Sequence, residues 1–315
     1  MSRKDRRMLE TDGSTVVNSV TSADTVFVLA GGGNLGAVQV GMLYALMEAG
    51  ISPDAIVGTS IGALNGAFLA GHPGMRGVDE LAKLWTTVHR PDVFPVRVRE
   101  LLRGVIGHRK NLFDSVGLRT LLHRADLGFD DLEEAPTPLS VVATDLHTGE
   151  AVVLAAGDTV TALLASAAIP GVFPPVEIGG RTLVDGGVVA NTPIAQAERY
   201  DPSLVVVLPT VPNTLDESPG NAVAMMQRAM TLAGRNTEQM VFADVSTRRN
   251  VEWLPAPPEA GHLSIFDFSA TDRLIDESYR LTSGWLVQRN LRPAVVTKAR
   301  TARGLAQPVL HDAVA

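Results

Sequence analysis

No cysteine occurs among the 315 residues. That excludes disulfides, thiolate nucleophiles and cysteine metal sites. A basic excess is missing too: 27 Lys and Arg stand against 34 Asp and Glu, a formal net charge of -7. Nucleic acid is bound mainly through clustered cations, so this balance speaks against it as a partner. No stretch is suited to spanning a bilayer. Residues 55–71 are uncharged but broken by glycines, and residues 159–176 contain Pro170, Pro174 and Pro175. Both suit the interior of an α/β sheet better. Met1–Glu10 carries cations without a following apolar segment, so a disordered tail over 1–23 is expected there rather than a secretory signal. The expected location is cytoplasmic, with at most weak peripheral contact at a membrane. No internal repeat is present.

What is there is an ordinary globular composition, 45% hydrophobic and 19% charged. Thr25–Ala30 is an apolar run closed by glycines and reads as a buried strand. Ala37–Ala49, stopped by Gly50, reads as a helix. Asp54–Gly58 then reads as a strand and Ile61–Ala70 as a small-residue helix. Alternation of this kind implies parallel strand pairing. Further helices are expected at Val78–His89, Ser115–Ala125, Thr159–Ala168 and Pro193–Tyr200. Further strands are expected at Leu139–Thr144, Ala151–Ala155, Arg181–Val184 and Leu204–Leu208. Beyond Pro209 come a turn-rich linker, a methionine-rich helix over Ala222–Thr247 with a possible kink at Gly234, an edge strand over Leu263–Phe268 and a helix over Asp272–Asn290.

Three local patterns carry chemistry. Gly58-Thr59-Ser60-Ile61-Gly62 falls between a strand and a helix, where a tight turn presents a serine and the glycines permit close packing. Chance occurrences of G-x-S-x-G are common, but the strand-turn-helix context favours a nucleophile. Gly31-Gly32-Gly33-Asn34-Leu35-Gly36 matches G-x-G-x-x-G. A dinucleotide site would want an acidic residue at the end of the second strand, whereas Asp54 sits at its start. Backbone N–H groups aimed at the oxygen of an ester attacked by Ser60 are the better reading. The third pattern, Asp185-Gly186-Gly187, ends a short strand; alone it reads as a common turn. None of the seven histidines, His72, His89, His108, His123, His147, His262 and His311, follows an acid in a strand-end motif.

Taken in order, these three motifs resemble those of the patatin-like phospholipases. Ala165-Ser-Ala-Ala-Ile-Pro-Gly-Val-Phe-Pro-Pro175 and Asn191-Thr-Pro193 are similar to the family as well. The resemblance covers residues 24–210. It implies a Ser60–Asp185 dyad without histidine, an oxyanion hole from Gly31, Gly32, Gly33 and Gly36, and an elbow of Gly58, Thr59, Ile61 and Gly62. It also implies acyl-lipid substrates, with neither metal nor cofactor. In one respect the chain departs from the family: Leu35 stands where an Arg or Lys is common.

The expected architecture is a three-layer α/β sandwich on a mainly parallel sheet. A catalytic core over 24–210 would carry a helical extension over 211–300 and a loose tail over 301–315. The expected function is hydrolysis of lipid carboxylic esters through an acyl-enzyme. A carboxylesterase or thioesterase acting on soluble esters is the alternative enzyme. An acyl-lipid binding protein without turnover is the alternative of another class.

Overall fold

The computed structural model describes residues 23–93, 111, 113–212, 222–263 and 267–289. In chain order they form β1 (Thr25–Leu29), α1 (Gly36–Glu48), β2 (Ala55–Thr59), α2 (Ile61–Gly71), α3 (Met75–Thr87), α4 (Arg90–Val93) and α5 (Val116–Ala125). There follow β3 (Leu139–Asp145), β4 (Ala151–Leu154), α6 (Thr159–Ser166), β5 (Val176–Ile178), β6 (Arg181–Asp185), α7 (Ile194–Ala197) and β7 (Leu204–Leu208). The last are α8 (Ala222–Ser246), β8 (Asn250–Trp253) and α9 (Thr271–Arg289).

These strands form one sheet. β3, β2, β1, β7 and β8 lie side by side in that order, all parallel. β4 runs antiparallel along one edge of β3, opposite Val141–Thr144. β2 occupies the other edge at Leu139–Val142. β6, antiparallel, pairs with Ala143–Asp145. Since β4 already covers Ala143 and Thr144, β6 must share the edge that β2 uses. The two strands therefore run toward each other and stop at neighbouring residues of β3: Thr59 opposite Val142, Asp185 opposite Ala143.

The sheet is buried on both faces, which is why its central strands read as continuous apolar runs. Alternate residues divide between two cores, as the two-residue period of a strand requires. Phe27, Leu29, Ile56 and Val141 face a core filled by α1, α2, α6 and α9. Val26, Val28, Val57 and Val205 face the other, closed by Ile194, Ala197, Tyr200 and Val245. This makes three layers. α1 is apolar on nearly every side because it lies between the sheet and α9. α9 presents Leu274, Ile275, Ser278, Thr282 and Leu286 to it at helical spacing. Burial of Leu274 and Ile275 contributes about 1.5–3 kcal/mol each.

Some expectations move. An edge strand that the sequence did not suggest, Asn250–Trp253, runs parallel to β7, and the expected strand over Leu263–Phe268 is not extended at its end. Phe268 instead opens a 3-10 turn, with the Ser269 N–H held by the Asp267 carboxylate at 3.0 Å. Residues 264–266 lie outside the described residues. The competing segment is only four residues long, too short for its alternation to stand out. Val176–Ile178, which pairs with β6, is equally short. α8 is unbroken at Gly234. Ala23, placed in the expected tail, is buried, and its N–H donates to the Tyr200 carbonyl at 3.1 Å. The rest of that tail and the tail over 301–315 lie outside the described residues, as do the side chains of Met226 and Met230. Met225 is exposed. Among the described residues no helix is long and apolar enough to cross a membrane.

The α1–α9 contact rests on one missing side chain. A Cβ at Gly41 would lie 2.1 Å from both the Ile275 carbonyl oxygen and the Ser278 hydroxyl. Two of the nearest atoms are backbone, so a neighbouring rotamer cannot relieve the clash. Gly41→Ala should therefore destabilise the protein by about 1–3 kcal/mol, read as a lower urea midpoint; an unchanged midpoint would contradict this packing.

Candidate active site

The site begins where β2 stops. Ser60 follows Thr59 with φ 53° and ψ -124°, and α2 starts at the next residue. A non-glycine residue held at positive φ costs about 1–3 kcal/mol and persists only where its surroundings enforce it. Here they do. The Ser60 N–H donates to the Ser166 hydroxyl at 2.8 Å, and that hydroxyl donates onward to the Val142 carbonyl at 2.5 Å. The Ser60 carbonyl accepts from the N–H groups of Ala63 and Leu64. The Thr59 hydroxyl donates to the Ala190 carbonyl at 2.8 Å. A Cβ at Gly62 would lie 2.2 Å from the Leu29 carbonyl oxygen, and one at Gly58 would lie 2.6 Å from the Ala63 Cα. The elbow glycines thus let α2 press on the strand ends, and Ile61 turns toward an apolar cavity.

Asp185 arrives from the opposite direction at the end of β6. Its Oδ2 accepts the Ser60 hydroxyl at 2.7 Å, and its Oδ1 accepts the Gly187 N–H at 2.7 Å. Its backbone is pinned on both sides: the N–H donates to Ala168 at 2.9 Å and the carbonyl accepts from Thr144 Oγ1 at 3.0 Å. Gly186 passes so close to β3 that a Cβ there would lie 2.3 Å from the Val142 carbonyl oxygen. Burial pushes the Asp185 carboxyl up from its ordinary 3.8 to about 6, against the opposing pull of the bonds from Ser60 and Gly187. A carboxylate so placed is a stronger base than a solvated one and can take a proton from the serine.

The glycine run divides its donors. The Gly31 N–H is spent on the Asn191 carbonyl at 3.0 Å, and the Gly36 N–H turns back to Asn34 and Gly33. Neither is available to an oxyanion, which narrows the expected set to the N–H groups of Gly32 and Gly33. No protein acceptor takes these among the described residues. Gly33, at φ 60°, needs a conformation that a side chain would strain. A buried polar network fixes the run from behind. Gln39 donates to the carbonyls of Ala30 and Leu208, Asn65 to Gly36 and Gln39, and the Trp85 indole to Asn65.

Two cavities meet at Ser60. The first is apolar and runs past Ile61, Leu64, Phe68, Leu81, Trp85 and Phe173. The second is more polar and is lined by Gly31, Gly32, Gly33, Asp185, Gly187, Asn191, Thr210 and Glu238, together with Ile169, Val189 and Val211. Leu35 also lines the second. Glu238 comes from α8; its Oε1 accepts the Thr192 N–H at 3.1 Å, and burial raises its pKa. Ser166, Asn191, Thr210 and Glu238 carried no assigned role in the sequence. Ser166 and Asn191 lie within the blocks that resembled the family. Thr210 and Glu238 had no motif to mark them, because only the packing of α8 and the end of β7 brings them in.

Among the described residues no histidine lines either cavity. Asp54 is spent on the Thr25 N–H at 2.9 Å, at the far end of the strand from the glycine run. No group of three or more His, Asp and Glu among the described residues could hold a metal ion.

A family model described as Patatin-like phospholipase matches residues 27–198. An NTE family protein of Mycobacterium tuberculosis is 30% identical over 192 residues, 61% of this chain and 50% of its own length. The patatin-like phospholipase domain-containing protein 7 of Rattus norvegicus is 29% identical over 201 residues, 62% of this chain and 14% of its own. The chain thus spans at most half the length of these relatives. Among solved structures, VipD from Legionella pneumophila overlaps 85% of this chain and 67% of its own, at 15% identity and a TM-score of 0.41.

Burying Asp185 has a consequence for stability. Its folded pKa lies above its unfolded one, so the fold prefers the protonated carboxyl. That preference is fully present below pH 3.8 and is lost as pH rises through about 6. Above that pH the ionised form costs roughly 3 kcal/mol. Asp185→Asn should accordingly raise the thermal midpoint at pH 8, with the gain shrinking toward pH 4. A variant less stable than wild type at pH 8 would contradict the inferred burial cost.

Proposed function

Because the chain belongs to the patatin-like phospholipase family, we propose that it is a serine acyl hydrolase that cleaves carboxylic esters of lipids through Ser60 and Asp185. The observation that carries this is the 2.7 Å hydrogen bond from the Ser60 hydroxyl to the buried Asp185 carboxylate, at a strained elbow where two cavities meet.

In this reading the acyl chain lies in the apolar cavity and the alcohol in the polar one. Ser60 Oγ attacks the ester carbonyl while Asp185 Oδ2 takes its proton. The carbonyl oxygen becomes an anion beside the N–H groups of Gly32 and Gly33. One such donor is worth about 2.7–4 kcal/mol in the transition state. The C–O bond to the alcohol breaks, and the leaving oxygen takes the proton back from Asp185. Water then enters the polar cavity and gives a proton to Asp185 as its oxygen attacks the acyl-serine. Collapse releases the fatty acid and returns the proton to Ser60.

The extended apolar cavity supports a lipid ester over a short soluble one. Turnover, rather than binding alone, is supported by the donor pair that neither α1 nor Asn191 uses.

The pH dependence follows from Asp185 acting as a base. The rate should rise with pH through about 6 and level off above it. Ser60→Ala should remove hydrolysis of a p-nitrophenyl ester and leave the fold intact. Asp185→Asn should lower kcat by two to four orders of magnitude, in the range of lost general-base catalysis, and should abolish the pH inflection. Alanine at each of the seven histidines should be mild by comparison. A single histidine as essential as Ser60 would replace the dyad with a triad.

A further inference from the structure

The two halves of the site differ in charge as well as polarity. On the alcohol side, the described residues contribute two carboxyl groups, Asp185 and Glu238, and no Lys, Arg or His to the cavity wall. Leu35, buried, fills the position beside the glycine run with a hydrocarbon side chain. Arg235, one turn before Glu238 on α8, lines the neighbouring cavity, whose wall Glu238 shares, and its charge acts on Glu238. Thr192 anchors Glu238 at 3.1 Å, so its carboxylate cannot swing freely out of the wall. A phosphate placed here would be stripped of water beside two acidic groups, with the charge of Arg235 already set against one of them, Glu238. Hydroxyl groups fit the same wall well, because they can donate to the Glu238 carboxylate and exchange hydrogen bonds with the Asn191 carboxamide. On the acyl side the described residues line an apolar cavity.

On the hydrolase reading above, we propose that the alcohol half of the substrate is an uncharged polyol. The protein then hydrolyses single-chain acylglycerols in preference to phosphate-bearing lipids, and Glu238 is the residue that sets this preference. Its carboxylate accepts from the glycerol hydroxyls and repels a phosphate from the same place.

The test measures kcat/KM of the full chain on monooleoylglycerol and on oleoyl lysophosphatidylglycerol in the same neutral detergent, with p-nitrophenyl octanoate as the control ester. The expected preference for monooleoylglycerol is at least tenfold, and Glu238→Gln should narrow it at least threefold. Equal or faster hydrolysis of the lysophospholipid, with the p-nitrophenyl ester cleaved, overturns the polyol assignment and leaves the hydrolase reading standing. A preference that Glu238→Gln does not change overturns the role of Glu238. Failure to cleave even the p-nitrophenyl ester overturns the hydrolase reading, and this proposal falls with it.

Discussion

Along one edge of β3, two strands running in opposite directions end at adjacent residues, Thr59 at Val142 and Asp185 at Ala143. Each strand ends there because it turns sharply, one into the elbow at Ser60 and the other into the glycine pair after Asp185. The residues just past the ladder are thereby brought within hydrogen-bond reach. The same edge supplies the anchors, with the Val142 carbonyl holding Ser166 and the Thr144 hydroxyl holding the Asp185 backbone. Gly186 and Gly62 are bare because backbone passes where their side chains would be. The Ser60–Asp185 pair is thus fixed by main-chain geometry where regular strands end.

Two local costs are concentrated there. Ser60 sits at positive φ, and Asp185 gives up its water. Neither would persist without the rest of the molecule. The strain at Ser60 is enforced by bonds from α2 and Ser166, and the burial of Asp185 by layers closed on both sides of the sheet. The second cost also has chemical value, because a carboxylate with its pKa near 6 attracts a proton better than a solvated one. The loop over 186–192 joins these parts. It bonds to the elbow through Ala190, to the glycine run through Asn191 and to α8 through Thr192.

Much of this was legible in the chain itself. The central strands announce themselves as apolar runs because both faces are buried. Ser60 and Asp185 are marked by the glycines that their turns need. What was not legible depends on residues distant in sequence. Gly31 looks like an oxyanion donor until Asn191 is seen to take its N–H. Ser166 looks like one small residue among many until its hydroxyl is found accepting the Ser60 N–H. Glu238 sits in a helix whose sequence shows methionines and little else, and its place in the site follows from how α8 packs. Asn250–Trp253 is not legible in the sequence because four residues give too little alternation.

In the proposed reaction the hydroxyl of Ser60, activated by Asp185, forms a covalent bond with an acyl carbon. The most direct measurement is the site of covalent capture. The protein is treated with a fluorophosphonate, digested, and mapped by mass spectrometry, with Asp185→Asn treated in parallel. A single stoichiometric adduct is expected on Ser60, formed much more slowly in the variant. An adduct on another residue, or equal labelling rates in the two proteins, would contradict it.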